Sequence, residues 1–239
     1  MKIISWNCNM AFRKKFQPVA ALHPDLLIVI ECESEDKLKP ALEEIDYKEI
    51  IWVGDNLHKG IAIIRFGEFT IRPLHPYNRE YKYILPYQLV GKTSINLFVI
   101  WAMPYKNSPT KSYVGQIWRA INHYEEALET PTILIGDFNS NAIWDTSRKT
   151  GNHSAMVQFL SNYQIESLYH LQTRELPGKE TRPTQYMYRH QEKPYHLDYC
   201  FSSTSLITQS TKIIVGKYSD WIDYSDHMPI IVENLNIEI

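Results

Sequence analysis

The sequence feature that most limits the fold is a short apolar run that becomes polar within one residue. Residues 132–135 (Thr-Ile-Leu-Ile) suit a strand that is covered on both faces. Gly136 then permits a turn or a close backbone approach. Asp137 and Asn139 follow two positions apart, so an extended backbone directs both side chains the same way. The stretch predicts a carboxylate beside a carboxamide, suited to holding water and a phosphate oxygen; an Asp/Asn turn after a core strand is the plainer alternative.

Polar residues at strand ends recur along the whole chain. In chain order they are Asn7, Glu31, Asp137, Asn139, Asp198, Asp226 and His227. Carboxylates that converge raise one another's pKa unless a positive charge lies among them. A divalent cation, Mg²⁺ or Mn²⁺, is the expected partner because it binds carboxylate oxygens and keeps several waters. With a histidine that titrates near neutrality, the set predicts hydrolysis of phosphate esters.

Strands and helices alternate irregularly in the predicted secondary structure. Strands are predicted over residues 2–8, 26–30, 50–53, 61–66, 69–72, 81–90, 94–101, 132–135, 184–189, 196–201, 213–215 and 229–233. Helices are predicted over 12–22, 34–44, 113–128 and 153–163, with a long polar loop over 139–152. This mixture favours two packed sheets with helices outside. The 239 residues allow one large domain or two small ones, and no linker of shifted composition interrupts them, so we expect one domain over residues 1–239.

Composition excludes few functions, but it indicates which cellular location and which kinds of cysteine site to expect. The formal net charge of -2 provides no global basic field, although a local groove can still hold nucleic acid. Three cysteines without a CxxC pair disfavour a disulfide framework or a zinc knuckle. Cys8 and Cys32 directly follow candidate site residues, so they should face the opposite way, into apolar packing. Without a signal-like start or a membrane-length apolar run, we expect a soluble cytoplasmic protein, with a monomer favoured.

Five short segments resemble, in the same order, the motifs of the endonuclease/exonuclease/phosphatase superfamily. They are Ser5-Trp6-Asn7, Pro24-Asp25-Leu26-Leu27 running to Glu31, Gly136-Asp137-Phe138-Asn139, His196-Leu197-Asp198-Tyr199 and Ser225-Asp226-His227. That superfamily includes exonuclease III-like repair nucleases, deoxyribonuclease I, inositol polyphosphate 5-phosphatases and sphingomyelinases. The resemblance spans residues 5 to 232, and the chain looks like a small bacterial-type member. It implies an α/β fold, a four-layer α/β sandwich of two packed mixed β-sheets flanked by helices, and a divalent metal.

The resemblance also implies roles for individual residues. Glu31 would be the principal metal ligand, with Asn7 beside the metal or phosphate and Asp226 as a further ligand. Asp137 would position or deprotonate the attacking water, and Asn139 would donate to a phosphate oxygen.

His227 is expected to contact the scissile phosphate. Asp198 would orient it, as acid–histidine pairs do when they fix tautomer and charge, unless Asp198 pairs with His196 or an arginine instead. Glu33 shares the strand parity of Glu31 and is the alternative metal ligand.

Three further residues are expected near the substrate: His196, Trp144 and Tyr186. Trp144 and Tyr186 would stack on a base or a sugar, with core packing as the alternative role.

Some positions depart from the family pattern. Trp101 or Ala102 stands where many relatives have a His or Tyr that touches the phosphate, and Asn9 stands where repair nucleases have an acid.

From the resemblance as a whole we expect a metal-dependent phosphodiester hydrolase, a nuclease acting on DNA or RNA by in-line attack of activated water. Two alternatives stay open. One is a hydrolase of small phosphate esters, such as an inositol phosphate or a phospholipid headgroup, and the other is a non-catalytic binding protein on the same fold.

Overall fold

Short strands and short helices make up the chain, which the computed structural model describes over residues 1–106, 108–146 and 151–237. The strands are β1 (Ile3–Asn7), β2 (Leu26–Cys32), β3 (Glu49–Asn56), β4 (Lys59–Arg65), β5 (Thr70–Pro73), β6 (Ile84–Val90), β7 (Ser94–Trp101), β8 (Thr132–Asp137), β9 (Ile165–Ser167), β10 (Gln185–Tyr186), β11 (Pro194–Tyr195), β12 (Asp198–Ser203), β13 (Lys212–Val215) and β14 (Ile230–Glu233). The α-helices are α1 (Phe16–Ala20), α2 (Glu35–Leu38), α3 (Val114–His123), α4 (His153–Asn162), α5 (Leu168–Thr173) and α6 (Tyr218–Trp221). Turns of 3₁₀ helix span Phe12–Lys14, Lys39–Ala41, Arg79–Tyr81, Pro109–Lys111, Glu125–Glu129, Ala142–Trp144, Met187–Arg189 and Thr204–Leu206.

Most strands belong to two six-stranded mixed sheets. The first has the order β13-β14-β1-β2-β4-β3, and the second has the order β5-β6-β7-β8-β12-β9. In the first sheet β1 runs parallel to β2, and in the second β7 runs parallel to β8, while the other neighbours are antiparallel. Each parallel pair therefore ends at one edge of its sheet, where polar side chains can gather.

The two sheets pack against each other through apolar side chains. Ile28 and Ile63 of the first sheet share one buried cluster with Leu97 and Ile133 of the second. The opposite faces are covered as well, the first sheet by a cluster that includes Leu38 of α2 and Trp221 of α6, and the second by one that includes Ile117 and Ile121 of α3. Because apolar clusters cover both faces of each sheet, the layers run helix, sheet, sheet, helix. The predicted α/β sandwich is confirmed.

Gly136 determines how β8 fits beside β7. Its φ of 144° lies outside the range that L side chains ordinarily adopt. A Cβ placed on it would overlap the carbonyl oxygen of Ile100, its parallel partner on β7. Only glycine lets the two backbones approach this closely one residue before Asp137.

The helices after β1 and β2 are shorter than predicted. Residues 12–22 form a 3₁₀ turn and α1, and the side chain of Glu33 caps the turn by accepting the backbone N–H groups of Phe12 and Arg13 at 2.7 and 3.1 Å. The prediction over 34–44 resolves into α2 and the turn Lys39–Ala41, and that over 113–128 into α3 and the turn Glu125–Glu129. The local helical pattern thus predicts where these helices lie but overestimates their lengths.

Two other predicted segments also differ in detail. The strand expected over 184–189 ends at Tyr186, because Tyr188 and Arg189 take left-handed φ values of 57° and 63°. The predicted loop 139–152 contains a 3₁₀ turn at Ala142–Trp144, and its residues 147–150 lie outside the described part of the chain. The short elements β9, α5, β11 and α6 carry too few residues for a periodic pattern to reveal them.

The three cysteines are free and buried. Cys8 and Cys32 lie in the apolar cluster on the outer face of the first sheet, where the sequence placed them. Burial raises the pKa of both thiols, so neither supplies a thiolate. Across the described residues, no helix has both the length and the apolar character that a membrane crossing requires.

Candidate active site

The ends of β1 and β8 meet where the two sheets pack, and their polar residues are hydrogen-bonded there. Nδ2 of Asn7 donates to Oδ2 of Asp137 at 3.0 Å. Asp137 also accepts the backbone N–H of Asn139 at 2.9 Å and its Nδ2 at 3.1 Å. The same Nδ2 donates to the carbonyl oxygen of Ala102 at 3.0 Å. Both amide hydrogens of Asn139 thus point at protein acceptors, and its left-handed φ of 44° is held by these bonds.

Asp198 and His227 join the same group from two further elements. The register of β8 and β12 puts Asp198 opposite Asp137. Nδ1 of His227 lies 2.9 Å from Oδ2 of Asp198, and the carbonyl oxygen of His227 accepts the indole N–H of Trp6 at 2.9 Å. Ligand atoms of Asp137, Asp198 and His227 all lie within 4.8 Å of one another, and the three residues are buried. The structure therefore brings together five residues that were predicted from separate sequence segments, namely Asn7, Asp137, Asn139, Asp198 and His227.

Burial and close charges shift the pKa values of this group. Burial is the largest influence on the pKa of Asp137, and together with the Asp198 carboxylate it raises that pKa to about 7. Burial alone would lower the pKa of His227, but the carboxylates of Asp198 and Asp137 outweigh it and raise that pKa to about 10. The raised pKa favours a protonated imidazole at neutral pH, a positive charge close to both acids. Its direct hydrogen bond to Asp198 also leaves no room for a metal ion between those two atoms.

Glu31 lies at the same edge of the first sheet as Asn7. Ile30, which precedes it, pairs with Asn7 in the parallel register of β1 and β2. The pairing of β2 with β4 shifts between Ile30 and Cys32, and this bulge gives Glu31 a φ of 61°. Its side chain is 19% exposed, and its Oε2 forms an ion pair with Nζ of Lys59 at 3.1 Å. A strained backbone and a partly open carboxylate are features of a functional site.

Asn9 links the other two oxygen donors that were expected near a metal. Its backbone N–H donates to Oδ1 of Asn7 at 3.1 Å, and its Nδ2 donates to Oδ1 of Asp226 at 2.8 Å. Nε2 of Gln185 lies 3.5 Å from the second oxygen of Asp226. Glu31, Asn7 and Asp226 present oxygen atoms, the donors that Mg²⁺ and Mn²⁺ prefer, so the donor set fits a hard divalent cation.

Glu33, the alternative metal ligand, is occupied elsewhere. It is buried, and besides two backbone N–H groups it accepts Nη1 of Arg13 at 2.8 Å. Its carboxylate holds the turn that follows β1. The bulge at Glu31 is what separates the two acids, although their sequence spacing gives them the same parity.

A cavity of about 330 Å³ opens beside Asn139. Its wall carries aromatic and amide side chains, among them Tyr113, Asn141, Trp144 and Tyr195. The ring of Trp144 is 49% exposed and lies 5.4 Å from that of Tyr195, measured between centroids. Trp144 is therefore placed where a substrate next to Asn139 would meet an aromatic face.

The other two residues predicted to contact substrate lie in packed surroundings. His196 is 5% exposed, and its Nδ1 donates to the carbonyl oxygen of Arg182 at 2.7 Å. That position argues against a substrate contact by His196 and against its pairing with Asp198, whose partner is His227. Tyr186 packs edge-on against Tyr218 at 4.5 Å between centroids, next to the outer apolar cluster of the first sheet. Its placement matches the core-packing alternative.

Two residues at the site were not predicted from sequence. Lys59 is the first residue of β4 and follows an exposed turn, and a single lysine in that position has no sequence pattern that would predict a functional role. Gln185 opens the short strand β10 and forms an isolated antiparallel bridge with His227. Asn9 was noticed only as a departure from the acid of the repair nucleases, and its two bonds now explain its presence.

Solved structures of other proteins share the fold of this chain. The chain resembles the solved structure of the 3′ phosphatase NExo from Neisseria bound to a product DNA hairpin (18% identity, TM-score 0.72, 98% of this chain and 99% of that chain covered). It also resembles an AP endonuclease from Archaeoglobus fulgidus (15%, 0.71, 99% and 100%) and truncated TDP2 from Caenorhabditis elegans (13%, 0.62, 97% and 96%). At these identities the likeness shows a shared fold. No curated protein sequence matches the chain.

The family assignment rests on sequence. The model of the Endonuclease/Exonuclease/phosphatase family matches residues 4–227. That span contains all five motifs that suggested the resemblance, and it includes Asn7, Glu31, Asp137, Asp198 and His227. The protein belongs to the endonuclease/exonuclease/phosphatase family.

Proposed function

We propose that the protein is a metal-dependent phosphodiester hydrolase that acts as a nuclease on DNA or RNA. The observation that carries the proposal is the buried group of Asp137, Asp198 and His227, whose ligand atoms lie within 4.8 Å of one another. Family membership supports it, because enzymes of this family use divalent metals. The likeness to a 3′ phosphatase bound to DNA and to an AP endonuclease supports a nucleic-acid substrate.

His227 would supply positive charge to the reacting phosphate. Asp198 engages its Nδ1 at 2.9 Å, which orients the ring and directs Nε2–H toward a phosphate oxygen. Because its pKa is raised, the imidazole is protonated near neutral pH and stabilises charge that develops in the transition state.

Asp137 would position the attacking water and accept its proton. Three hydrogen bonds from Asn7 and Asn139 hold the carboxylate, and a pKa raised to about 7 suits a base that works near neutrality. Asn139 would contact a phosphate oxygen with one amide hydrogen after releasing Asp137 or Ala102, its acceptors in this structure.

Glu31 and Asn7 would hold the divalent cation, with Asp226 as a further oxygen donor. When bound, Mg²⁺ or Mn²⁺ supplies charge that polarises the phosphate and favours ionised water. The oxygen character of all three donors is the structural support for this assignment.

The cavity beside Asn139 favours a nucleotide over a bare phosphate ester. The facing rings of Trp144 and Tyr195 suit stacking on a base or packing on a sugar. A cavity lined by Asn139, next to the proposed base Asp137, also suits a terminal nucleotide, which makes removal of a 3′-phosphate from DNA the second candidate activity.

The test is a substrate panel with one blank and one control variant. Single-stranded DNA, duplex DNA with abasic sites, RNA, 3′-phosphorylated DNA and small phosphate esters are incubated with Mg²⁺ or Mn²⁺. We expect turnover of nucleic acid by the wild type, and loss of that turnover in Asp137→Asn with an unchanged circular dichroism spectrum. Asp36→Asn, an exposed acid on α2, should keep full activity. Turnover by Asp137→Asn at the wild-type rate would refute the proposal, and activity confined to small esters would replace the substrate class.

Three further features belong to this proposal. Residues 1–239 form one domain, supported by the apolar cluster that the two sheets share. The protein is cytoplasmic, supported by its three free and buried thiols. It acts as a monomer, since Asn7, Glu31, Asp137, Asp198 and His227 all come from one chain.

A further inference from the structure

Lys59 makes two contacts beside the candidate active site, one with Glu31 and one with Trp101. Its Nζ lies 3.1 Å from Oε2 of Glu31, the proposed principal metal ligand. The same ammonium lies 5.3 Å from the ring centroid of Trp101. An ion pair and an aromatic face therefore hold one positive charge at the entrance to the site.

Trp101 supports this placement of Lys59 from the second sheet. It ends β7, directly beside Asp137 in the parallel register of β7 and β8. Its ring is buried and stacks on that of Tyr83, with centroids 4.7 Å apart and planes at 26°. The indole is thus fixed, and its face directs the ammonium to the edge where Glu31 and Asp137 both lie.

The charges at this edge call for a second cation. The site contains four carboxylates, those of Glu31, Asp137, Asp198 and Asp226. His227 bonds Asp198 and lies within 4.8 Å of Asp137. Asp226 accepts an amide hydrogen of Asn9, and Glu31 pairs with Lys59. The side chain of Lys59 is 36% exposed on a four-carbon stem, so the ammonium can exchange one anion for another without moving β4.

We propose that Lys59 is a substrate-binding cation, which neutralises Glu31 while no divalent cation is bound and binds a substrate phosphate once a divalent cation takes Glu31. The inference rests on the proposed function. It predicts that Lys59 competes with metal and assists substrate, so its removal should have opposite effects on the two affinities.

Lys82 provides a matched control on the same side of the molecule. Its Nζ pairs with Asp55 at 2.5 Å and lies 4.9 Å from the ring centroid of Tyr83, so it has the same two kinds of contact as Lys59. Its carboxylate partner is not a proposed ligand. Lys82→Met therefore removes an equivalent charge without touching Glu31, whereas Lys59→Arg keeps the charge at Glu31.

The first measurement is calorimetric titration of the metal-free protein with Mn²⁺. We expect Lys59→Met to bind Mn²⁺ about two- to fivefold more tightly than the wild type, because the competing ammonium is gone. Lys82→Met and Lys59→Arg should match the wild type. An unchanged or weaker affinity in Lys59→Met overturns the inference, whereas a wild type that binds no Mn²⁺ at all contradicts the metal dependence in the proposed function.

The second measurement is binding of a labelled single-stranded oligonucleotide in Mn²⁺, in an Asp137→Asn background that prevents turnover. Adding Lys59→Met should weaken binding about tenfold, the size expected for one charge-assisted phosphate contact. Adding Lys82→Met should leave it unchanged. A merely structural Lys59 would weaken both Mn²⁺ and oligonucleotide binding, and equal losses in the two lysine variants would show unspecific charge attraction. Either result overturns the inference.

Discussion

The amide of Asn7 on β1 donates to the carboxylate of Asp137 on β8 at 3.0 Å, and this bond joins the two sheets. Asn7 pairs with Ile30 in the first sheet, and Asp137 pairs with Asp198 in the second. The proposed metal side and the proposed base side of the site are therefore connected through one hydrogen bond. Its geometry depends on how the sheets pack, so catalysis should be sensitive to small changes there.

Removing this bond tests its contribution. We expect Asn7→Ala to lower kcat by about 10- to 100-fold, because Asp137 loses one of the three donors that hold it and the proposed metal site loses an oxygen donor. Steady-state kinetics on a nucleic-acid substrate measures the change, and thermal unfolding checks that the fold persists. Asn234→Ala removes a surface amide whose Nδ2 donates to the loop carbonyl of Ser210. It is the control and should retain wild-type kcat. Wild-type kcat in Asn7→Ala would show that the bond is dispensable.

Asp198→Asn should alter the charge of His227. The carboxylate of Asp198 is the strongest positive influence on that pKa, which stands at about 10. Without it, burial lowers the pKa, and the imidazole becomes neutral over more of the physiological range. Nuclear magnetic resonance titration of the imidazole should show the decrease, and kcat should fall by about 10³- to 10⁴-fold. Asp223→Asn, an exposed acid near His227 in sequence, should change neither. An unchanged titration would contradict the assigned pairing.

Gly136→Ala should destabilise the fold through two separable costs. The methyl group would overlap the carbonyl oxygen of Ile100, and φ of 144° disfavours an L residue. We expect the free energy of unfolding to fall by about 3 kcal/mol or more in urea titrations. Gly178→Ala shares the positive φ, at 83°, but its nearest contact is a side-chain carbon at 3.2 Å. It should lose only about 1 kcal/mol. Equal losses would show that φ alone matters.

The buried His153 should make stability depend on pH. Burial lowers its pKa from 6.5 to about 4, so the folded state holds it neutral while the unfolded chain protonates it as pH falls below 6.5. Stability is therefore unaffected above that pH and decreases as the pH falls toward 4, by at most about 3 kcal/mol from this group.

His153→Gln checks that sign because glutamine stays neutral and can still bond Ser140, which lies 3.1 Å from Nδ1 of His153. Urea unfolding at about pH 7 and about pH 5 should show a smaller acid loss in this variant than in the wild type. His190→Gln, an exposed histidine, should behave as the wild type. If the free energy of unfolding decreased equally in His153→Gln and in the wild type, a group other than His153 would cause the loss of stability at acid pH.

The strand ends were predictable because each depends on a local signal. An apolar β-branched run followed by a polar residue marked Asn7, Glu31 and Asp137, and β8 and β12 then brought Asp137 opposite Asp198. Taken together, the five motifs in their order identified the family resemblance, and the family match over residues 4–227 confirmed it. Roles of individual residues remain predictions, with His196 and Tyr186 now placed in packed surroundings.

What the sequence could not reveal depends on tertiary contacts. Strand alternation directs Glu31 and Glu33 to the same face, which made Glu33 the alternative metal ligand. The bulge at Glu31 breaks this alternation, and no local sequence signal predicts the bulge. The 3₁₀ turn at the start of the helix expected over 12–22 is capped by Glu33, which lies just after the next strand. Lys59 reaches Glu31 only because β4 lies beside β2. Each case requires two segments whose proximity no single stretch encodes.

The division of the site between two sheets has a consequence for how activity is lost. His227 contacts Trp6 of the first sheet through its carbonyl oxygen and Asp198 of the second through its ring. A slight parting of the two layers would separate these contacts before either layer melted. The magnetic resonance signal of the His227 imidazole should therefore report on the contact between the two sheets. Mild denaturant should abolish turnover while the backbone amides of most strands are still protected from hydrogen exchange.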